Sequence, residues 1–471
     1  MANESSGKKA LKAGIGYTVG NILLKGITFL SIPLFSRLLS VADYGVYSIY
    51  ASYVSVLSIV VSFTLHASVK NAVYDYKRDL NGYCSSVSLI TIFNAAILVA
   101  ICLLFAQPIS ELLGIEKSLL VLIVLESAAI AMTHFYNAYL AVDYRYKEYL
   151  YLSLIYAVGG VALSVIFIFT AYIDRGYMGR VMGTAVAAIA AAVYILVRLF
   201  RAARPKINLE YWRYGLKISL PIVPHGLSQL VLSQFDRIMI KKSIGDTQAG
   251  LYSFAGNVGM IYQVVASSLD TAWAPWFFEK MERREYGQIR TVGSWFMSLL
   301  GLGAVSLMLV CPELITIMGG AKYDASRQVA IPIILAMFFA AAYNLPVSVE
   351  YYYKKTKVIA AGSMMAALLN IILNSIFIPL FGYVAAAYTT VTCYVLYYCI
   401  HILLARKIHG SVIYSMRWQI LCPVGVTAFS FLCLGLIGLP AVRWGMVVLI
   451  LAGAGFWAWR RSPELKGMMK T

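Results

Sequence analysis

The sequence is a succession of apolar segments of about 20 residues, separated by short clusters of charged residues. A helix of about 20 residues spans the ~30 Å hydrocarbon core of a bilayer, because it rises ~1.5 Å per residue. Only 13% of the 471 residues are charged, about half of the share in a soluble domain. The pattern predicts an all-α polytopic membrane protein with about fourteen transmembrane helices. The connections are then too short to hold a catalytic or nucleotide-binding domain of the usual ~100 residues.

The basic residues indicate how the chain is threaded through the membrane. The formal net charge is +18, and Lys and Arg collect in loops that stay in the cytoplasm. When both termini are placed in the cytoplasm, most of the 39 Lys and Arg residues fall on the inner side. Those near the two ends are Lys8, Lys9, Arg460, Arg461, Lys466 and Lys470. We therefore expect a multi-pass protein with cytoplasmic termini, whose positive charge requires no nucleic-acid partner.

A tandem repeat divides the chain into two similar halves. The motif GVYS at residues 45–48 recurs as GLYS at residues 250–253. An even number of spans separates the copies, so both halves have the same orientation and are related by an axis along the membrane normal. The alternative explanation of the repeated motif is a chance match between common residue types. The repeat predicts two pseudo-symmetric six-helix bundles around a central cavity: 1–200 for the N-terminal bundle, 201–215 for a cytoplasmic amphipathic linker, 216–408 for the C-terminal bundle, and 409–471 for two additional helices and a cytoplasmic tail.

In the linker region, basic residues alternate with Tyr211 and Trp212, which predicts a segment lying against anionic lipid headgroups.

Polar side chains inside the predicted spans are candidates for the wall of the cavity. An ionisable group at membrane depth is costly unless it faces water or a partner. In the first span Asn21 and Lys25 share one face, and in the seventh span Gln229 and Asp236 do so. Asp270 lies on a similar polar stripe in the eighth span. The alternative is that such residues only join helices by interhelical hydrogen bonds.

No feature of the sequence indicates enzymatic chemistry. The seven cysteines have no metal-ligand spacing, and there is neither a phosphate-binding loop nor a set of nucleophile, base and orienting residue. The sequence therefore predicts a secondary transporter that needs no cofactor and no metal.

Two motifs resemble those of a known family. Arg37 is followed by YGVYS at residues 44–48, and the pair Asp236 and Arg237 is followed by GLYS at residues 250–253. With its tandem bundles, the chain resembles the polysaccharide repeat-unit flippases (O-antigen, capsule or exopolysaccharide) of the multidrug/oligosaccharidyl-lipid/polysaccharide exporter superfamily. The resemblance implies a MATE-like fold and the transfer of undecaprenyl-pyrophosphate-linked repeat units from the inner to the outer leaflet of a bacterial cytoplasmic membrane by alternating access. It also implies a polysaccharide polymerase and assembly proteins as partners.

The implied cargo suggests roles for the basic and amide side chains. Its pyrophosphate is doubly negative, and Lys25 is the one basic residue that the topology places near mid-membrane. We expect Lys25 to bind the pyrophosphate, with Arg37 and Arg237 as partners on the outer side. Asn21 and Gln229 are further candidates for binding the substrate, and serine, asparagine and tyrosine side chains are expected to form hydrogen bonds with sugar hydroxyls.

The acidic residues suggest how transport is driven. Without a nucleotide site, the energy source is an ion or voltage gradient, or removal of the product. Glu126 in the fourth span, Asp270 and Asp236 are the candidates for coupling to H⁺ or Na⁺. For Glu126 a role as an ion-pair partner stays open, and for Asp236 a local ion pair with Arg237.

Two other functions are compatible with the sequence. A drug or cation antiporter of the same superfamily would use acidic residues such as Glu126 and Asp270 as its main cavity charge. A membrane glycan polymerase would usually present its catalytic site on a long outward loop, and here the outward connections are short.

Overall fold

The computed structural model describes the backbone of residues 2–468, and the side chains of residues 12–456 except Ile15 and Ala454. Over this part the regular secondary structure is helical throughout, without a strand. The basic residues near the ends of the chain lie outside the described side chains: Lys8, Lys9, Arg460, Arg461, Lys466 and Lys470.

Long helices joined by short connections make up the described chain. They are α1 (Ala2–Leu38), α2 (Val41–Ser62), α3 (His66–Asp75), α4 (Leu80–Leu104), α5 (Ala106–Leu113), α6 (Lys117–Val142), α7 (Tyr146–Phe169), α8 (Gly176–Ala202), α9 (Leu209–Ser219), α10 (Val223–Ser243), α11 (Asp246–Glu282), α12 (Tyr286–Gly319), α13 (Arg327–Ala342), α14 (Asn344–Tyr352), α15 (Thr356–Phe381), α16 (Tyr383–His409), α17 (Met416–Gly435) and α18 (Pro440–Met468). Short 3₁₀ helices at Leu220–Ile222 and Ala321–Ser326 precede α10 and α13.

Eleven helical stretches of the described residues are long and apolar enough to cross a membrane. In two of them a short helix continues a longer one, α3 after α2 and α14 after α13. The other predicted spans correspond to α10, α11 and α18, and in α10 polar residues such as Gln229 and Asp236 lower the mean hydropathy. The all-helical, multi-pass architecture is confirmed, but the count of fourteen spans is not.

The chain packs as two compact units, Met1–Gly250 and Leu251–Thr471. The first unit therefore includes α9 and α10 as well as the six preceding spans. The domain limits predicted from the repeat describe repeat units rather than packing. They stay predictions: 1–200, 201–215, 216–408 and 409–471.

In the first unit α6 is the central helix. It packs against α2, α3, α4 and α8, and its buried side chains include Val124, Ala131 and Phe135. By contrast, α1 packs mainly against α7, so that Leu23 and Leu30 on its outer face are exposed. Exposed apolar side chains of this kind suit a helix that faces lipid chains.

In the second unit α13 is the most completely buried helix. Ile331, Ile334 and Phe338 are fully enclosed by α12, α16 and α17. The neighbouring helices α15 and α16 are joined at Gly382, whose φ of 78° lies in the left-handed region that glycine adopts without strain.

The two copies of the repeated motif meet at their glycines. A Cβ atom on Gly45 of α2 would overlap the carbonyl oxygen of Asp246, at the start of α11. A Cβ atom on Gly250 would overlap the carbonyl oxygen of Val41, at the start of α2. Each glycine thus allows the other helix's backbone to approach, which is how small residues act between membrane helices.

The predicted linker is attached to protein rather than only to lipid. The Tyr211 hydroxyl of α9 donates to Asp79 Oδ2 at 2.8 Å, and the Trp212 indole donates to the Ser86 carbonyl oxygen at 2.9 Å. Burial and the neighbouring Asp79 carboxylate raise the pKa of Tyr211 to about 12. Tyr211 and Trp212 therefore have protein partners for their polar atoms, and contact of this segment with lipid headgroups stays a prediction.

Reporter fusions test the predicted threading. Arg204 lies exposed between α8 and α9, and Asp246 lies at the connection of α10 and α11. We expect a topology reporter inserted after Arg204 to be cytoplasmic and one inserted near Asp246 to be external, because the basic clusters favour the inner side. A fusion in the basic connection near Lys354 is the control and should match Arg204. Reversal at either test site would contradict the threading.

Candidate transport site

A buried acidic residue lies in the middle of the first unit. Glu126 of α6 is only 4% exposed, and its Oε2 atom accepts a hydrogen bond of 2.6 Å from the Tyr50 hydroxyl of α2. Thr184 of α8 donates to the same oxygen at 3.4 Å. Three helices thus converge on one carboxyl group, which sequence analysis selected for ion pairing or ion coupling.

A buried arginine accompanies this carboxyl group. Arg180 of α8 donates from Nη1 to Ser164 Oγ at 3.2 Å, and its guanidinium lies 3.5 Å from the centre of the Phe35 ring. It interacts electrostatically with Glu126, and its buried Nε has no hydrogen-bond partner among the described residues. Arg180 was not among the residues predicted from the sequence. The signal was its place within the sixth apolar segment, one helical turn before Thr184.

The second predicted span is interrupted within the membrane. Phe63 and Thr64, between α2 and α3, have φ values of 48° and 55°, which break the helix. The Asn94 side chain of α4 donates to the carbonyl oxygens of Val60 and Val61 at 3.0 and 2.9 Å, so the break is compensated. Interrupted helices with satisfied backbone groups are typical of transporters.

The predicted pyrophosphate ligand is accessible. Lys25 is exposed on α1, and no hydrogen bond or ion pair of its side chain is found within the described part of the chain. One turn earlier, the Asn21 Oδ1 atom accepts a hydrogen bond of 2.6 Å from the Tyr149 hydroxyl of α7. Asn21 therefore joins α1 to α7, while the Lys25 charge stays available for a ligand. Arg37, in the last turn of α1, is also exposed.

The predicted residues of α10 have different environments. Asp236 is 3% exposed, whereas Gln229 and Arg237 are half-buried. Arg237 donates from Nη1 to Gln234 Oε1 at 2.8 Å, and the same oxygen accepts a hydrogen bond of 3.2 Å from the Ser52 hydroxyl of α2. Arg237 thus belongs to a polar contact between α10 and α2.

In the second unit Asp270 lies near aromatic hydroxyls. It is half-buried on α11 and interacts electrostatically with Tyr343 and Tyr351. Sequence analysis did not single out Glu350 and His401, which form a fully buried pair on α14 and α16. Their signal was an ionisable residue within each of two apolar segments.

A large groove runs between α12, α17 and α18 in the second unit. Its volume is about 1210 Å³, and most of its lining is apolar, including Leu302, Leu421 and Phe429. Arg290 and Ser294 stand at the end where α12 begins. The groove is therefore large and apolar enough to accommodate a long apolar chain.

Together, the apolar helices, the interrupted span and the buried charges define a multi-pass helical membrane protein. The chain belongs to the family described as polysaccharide biosynthesis protein, which matches residues 10–281. It is 22% identical over 379 residues to the Lsg locus putative protein 1 of Haemophilus influenzae, covering 77% of this chain and 90% of that protein. The predicted link to polysaccharide synthesis is thus confirmed at the level of the family.

Solved structures show the same fold. Lipid II flippase MurJ in an inward closed conformation superposes with a TM-score of 0.76 at 14% identity, covering 95% of this chain and 100% of that chain. An inward-facing multidrug resistance MATE family transporter of the MOP superfamily gives a TM-score of 0.60 at 15% identity, covering 82% and 98%. The MATE-like fold class is therefore confirmed.

Proposed function

We propose that the protein moves undecaprenyl-pyrophosphate-linked polysaccharide repeat units from the inner to the outer leaflet of a bacterial cytoplasmic membrane by alternating access. The observation that carries the proposal is the groove of the second unit in a member of the polysaccharide biosynthesis family. A polyprenyl chain is apolar over its whole length and ends in an anionic group. The groove offers the apolar environment that this chain needs, with Leu302 and Phe429 along its length.

The head of the cargo binds to the first unit in this proposal. Lys25 supplies the positive charge for the pyrophosphate, and Arg37 and Arg237 extend that charge towards the outer side. Asn21 and Gln229 form hydrogen bonds with sugar hydroxyls. The support is that Lys25 and Arg37 are exposed and Gln229 is half-buried, so each offers polar surface to a ligand.

Ion coupling in the proposed cycle uses carboxyl groups of both units, namely Glu126, Asp236 and Asp270, with H⁺ or Na⁺.

We expect Glu126→Gln and Asp270→Asn to slow transport several-fold and to weaken its response to an imposed pH or sodium gradient, because an amide can neither bind a proton nor hold a cation by charge. Transport by reconstituted protein under each gradient is the measurement. Glu111→Gln, at an exposed carboxyl group of α5, is the control and should leave the response unchanged. A wild-type gradient response in both amide variants would leave a uniporter driven by charge or product removal.

A deletion strain tests the proposed function in the cell. Both termini of the protein are cytoplasmic in this proposal, and the polymerase and assembly proteins act on the cargo after it reaches the outer leaflet. Loss of the protein should therefore abolish the surface glycan and leave the lipid-linked repeat unit in the inner leaflet.

Two other outcomes would favour the alternatives. Unpolymerised repeat units in the outer leaflet would indicate a polymerase. A normal surface glycan with lost efflux of cationic dyes would indicate a multidrug antiporter.

A further inference from the structure

The second unit contains a buried acid–base pair. Glu350 of α14 and His401 of α16 are both fully enclosed, and the Glu350 Oε1 atom lies 2.6 Å from the His401 Nδ1 atom. At this distance one proton lies between the two atoms. A carboxyl group and an imidazole that share this proton carry no net charge when the second ring nitrogen, Nε2, also holds a proton, and this neutral form is the one that a membrane-embedded interior tolerates best.

Each member of the pair also has a polar atom without a partner. Glu350 Oε2, His401 Nε2 and the adjacent Tyr397 hydroxyl are buried and have no hydrogen-bond partner among the described residues. A Cβ atom on Gly362 would lie 2.9 Å from His401 Nε2, so the backbone of α15 closes this side. Unsatisfied buried atoms of this kind are costly. Water that entered the site would give them hydrogen-bond partners.

Tyrosines surround the pair. The His401 ring centre lies 4.4 Å from that of Tyr397 and 6.2 Å from that of Tyr343. Tyr394 of α16 and Tyr351 of α14 interact electrostatically with Tyr397. The other helices packed against the pair, α13 and α15, carry Arg327 and Lys357 in their first turns as their charged residues.

The same tyrosines connect the pair with a predicted coupling residue. Asp270 of α11 interacts electrostatically with Tyr343 and Tyr351, and Tyr351 also interacts with Glu350. A change of charge at the pair therefore changes the field at Asp270.

We propose that Glu350 and His401 form a proton-binding site of the second unit. The pair holds one proton between Oε1 and Nδ1 while α14 and α16 are packed together, and it releases this proton to water when the pair becomes hydrated. Raising the pH favours the state with fewer protons, so high pH favours the hydrated form. The inference deepens the proposed function, and its role in the transport cycle rests on that function.

Infrared difference spectra of the full-length protein in lipid nanodiscs test the site without cargo. When the buffer is exchanged from high to low pH, we expect the wild type to show carboxyl and imidazole bands from uptake of one proton. Glu350→Gln and His401→Gln should each remove these bands. Tyr398→Phe is the matched control, because it removes a different buried hydrogen bond of α16, to the Gln419 carbonyl oxygen, and should keep them.

Folding does not limit this test. Glu350→Gln keeps an oxygen acceptor for the Nδ1–H group, so it is expected to fold even where His401→Gln does not. If the wild type shows no such bands, or Glu350→Gln retains them, the pair is a static contact and the proposal is wrong.

Transport adds a second measurement. The response of Glu350→Gln to an imposed pH gradient should fall several-fold, and that of Tyr398→Phe should not. Failure of the wild type to move a lipid-linked oligosaccharide would contradict only the proposed function, because the infrared bands require no cargo.

Discussion

Replacing Lys25 with alanine is expected to abolish transport of the lipid-linked repeat unit, or to reduce it by about 10- to 100-fold, while the protein inserts at its normal level. A hydrogen bond to a charged group is worth about 1.5–3 kcal/mol, which corresponds to a reduction of this size. The side chain is exposed on α1, so its removal should leave the packing of the first unit intact. Flipping by reconstituted protein and the amount of protein in membranes are the measurements.

Two further variants separate charge from structure. Lys25→Arg should retain part of the activity, because the positive charge is preserved although its geometry changes. Lys12→Ala, at another exposed lysine of the same helix, should transport like the wild type. Full transport by Lys25→Ala at a normal protein level would show that Lys25 does not bind the pyrophosphate.

The second large effect is expected at the paired glycines. Gly45→Ala and Gly250→Ala should each lower the thermal unfolding midpoint strongly or prevent accumulation of folded protein. The added methyl group would overlap a backbone carbonyl oxygen, of Asp246 in one case and Val41 in the other, and a backbone cannot move aside as a flexible side chain can. Overpacking typically costs about 1–3 kcal/mol, and a clash with a backbone belongs at the upper end of that range.

A third glycine provides the matched control. A Cβ atom on Gly26, inside α1, would meet no atom within 4 Å. Gly26→Ala is therefore expected to be neutral or to stabilise the protein by about 0.5–1 kcal/mol, because alanine favours the helix. Equal melting of the Gly45, Gly250 and Gly26 variants would contradict close packing of the repeated motifs.

Some features were predictable because they depend on composition along the chain. The apolar segments predicted the helical membrane fold, and the motifs containing Arg37 and Asp236 predicted the family. The exact number of spans was not accessible in this way. Polar residues such as Gln229 that make a helix suitable for a transport site also reduce its mean hydropathy, so α10 differs from an ordinary span.

The buried polar contacts could not be predicted, because they depend on which helices become neighbours. The sequence selected Glu126, but it did not indicate that Tyr50 and Thr184 donate to it or that Arg180 accompanies it. The pairing of Glu350 with His401 links residues 51 positions apart, and no local pattern connects them. The roles assigned to Lys25, Asn21, Arg37, Gln229, Arg237, Glu126, Asp236 and Asp270 stay predictions.

The most direct test of the proposed function is a leaflet assay with purified protein. Proteoliposomes would contain a fluorescent undecaprenyl-pyrophosphate-linked oligosaccharide, and an impermeant glycosidase outside would report the fraction that reaches the outer leaflet. We predict that vesicles with the wild type expose lipid that protein-free vesicles retain inside, and that vesicles with Lys25→Ala resemble the protein-free ones. Equal accessibility with and without the wild-type protein, in vesicles where the protein is folded and a pH or sodium gradient is imposed, would contradict the assignment as a flippase.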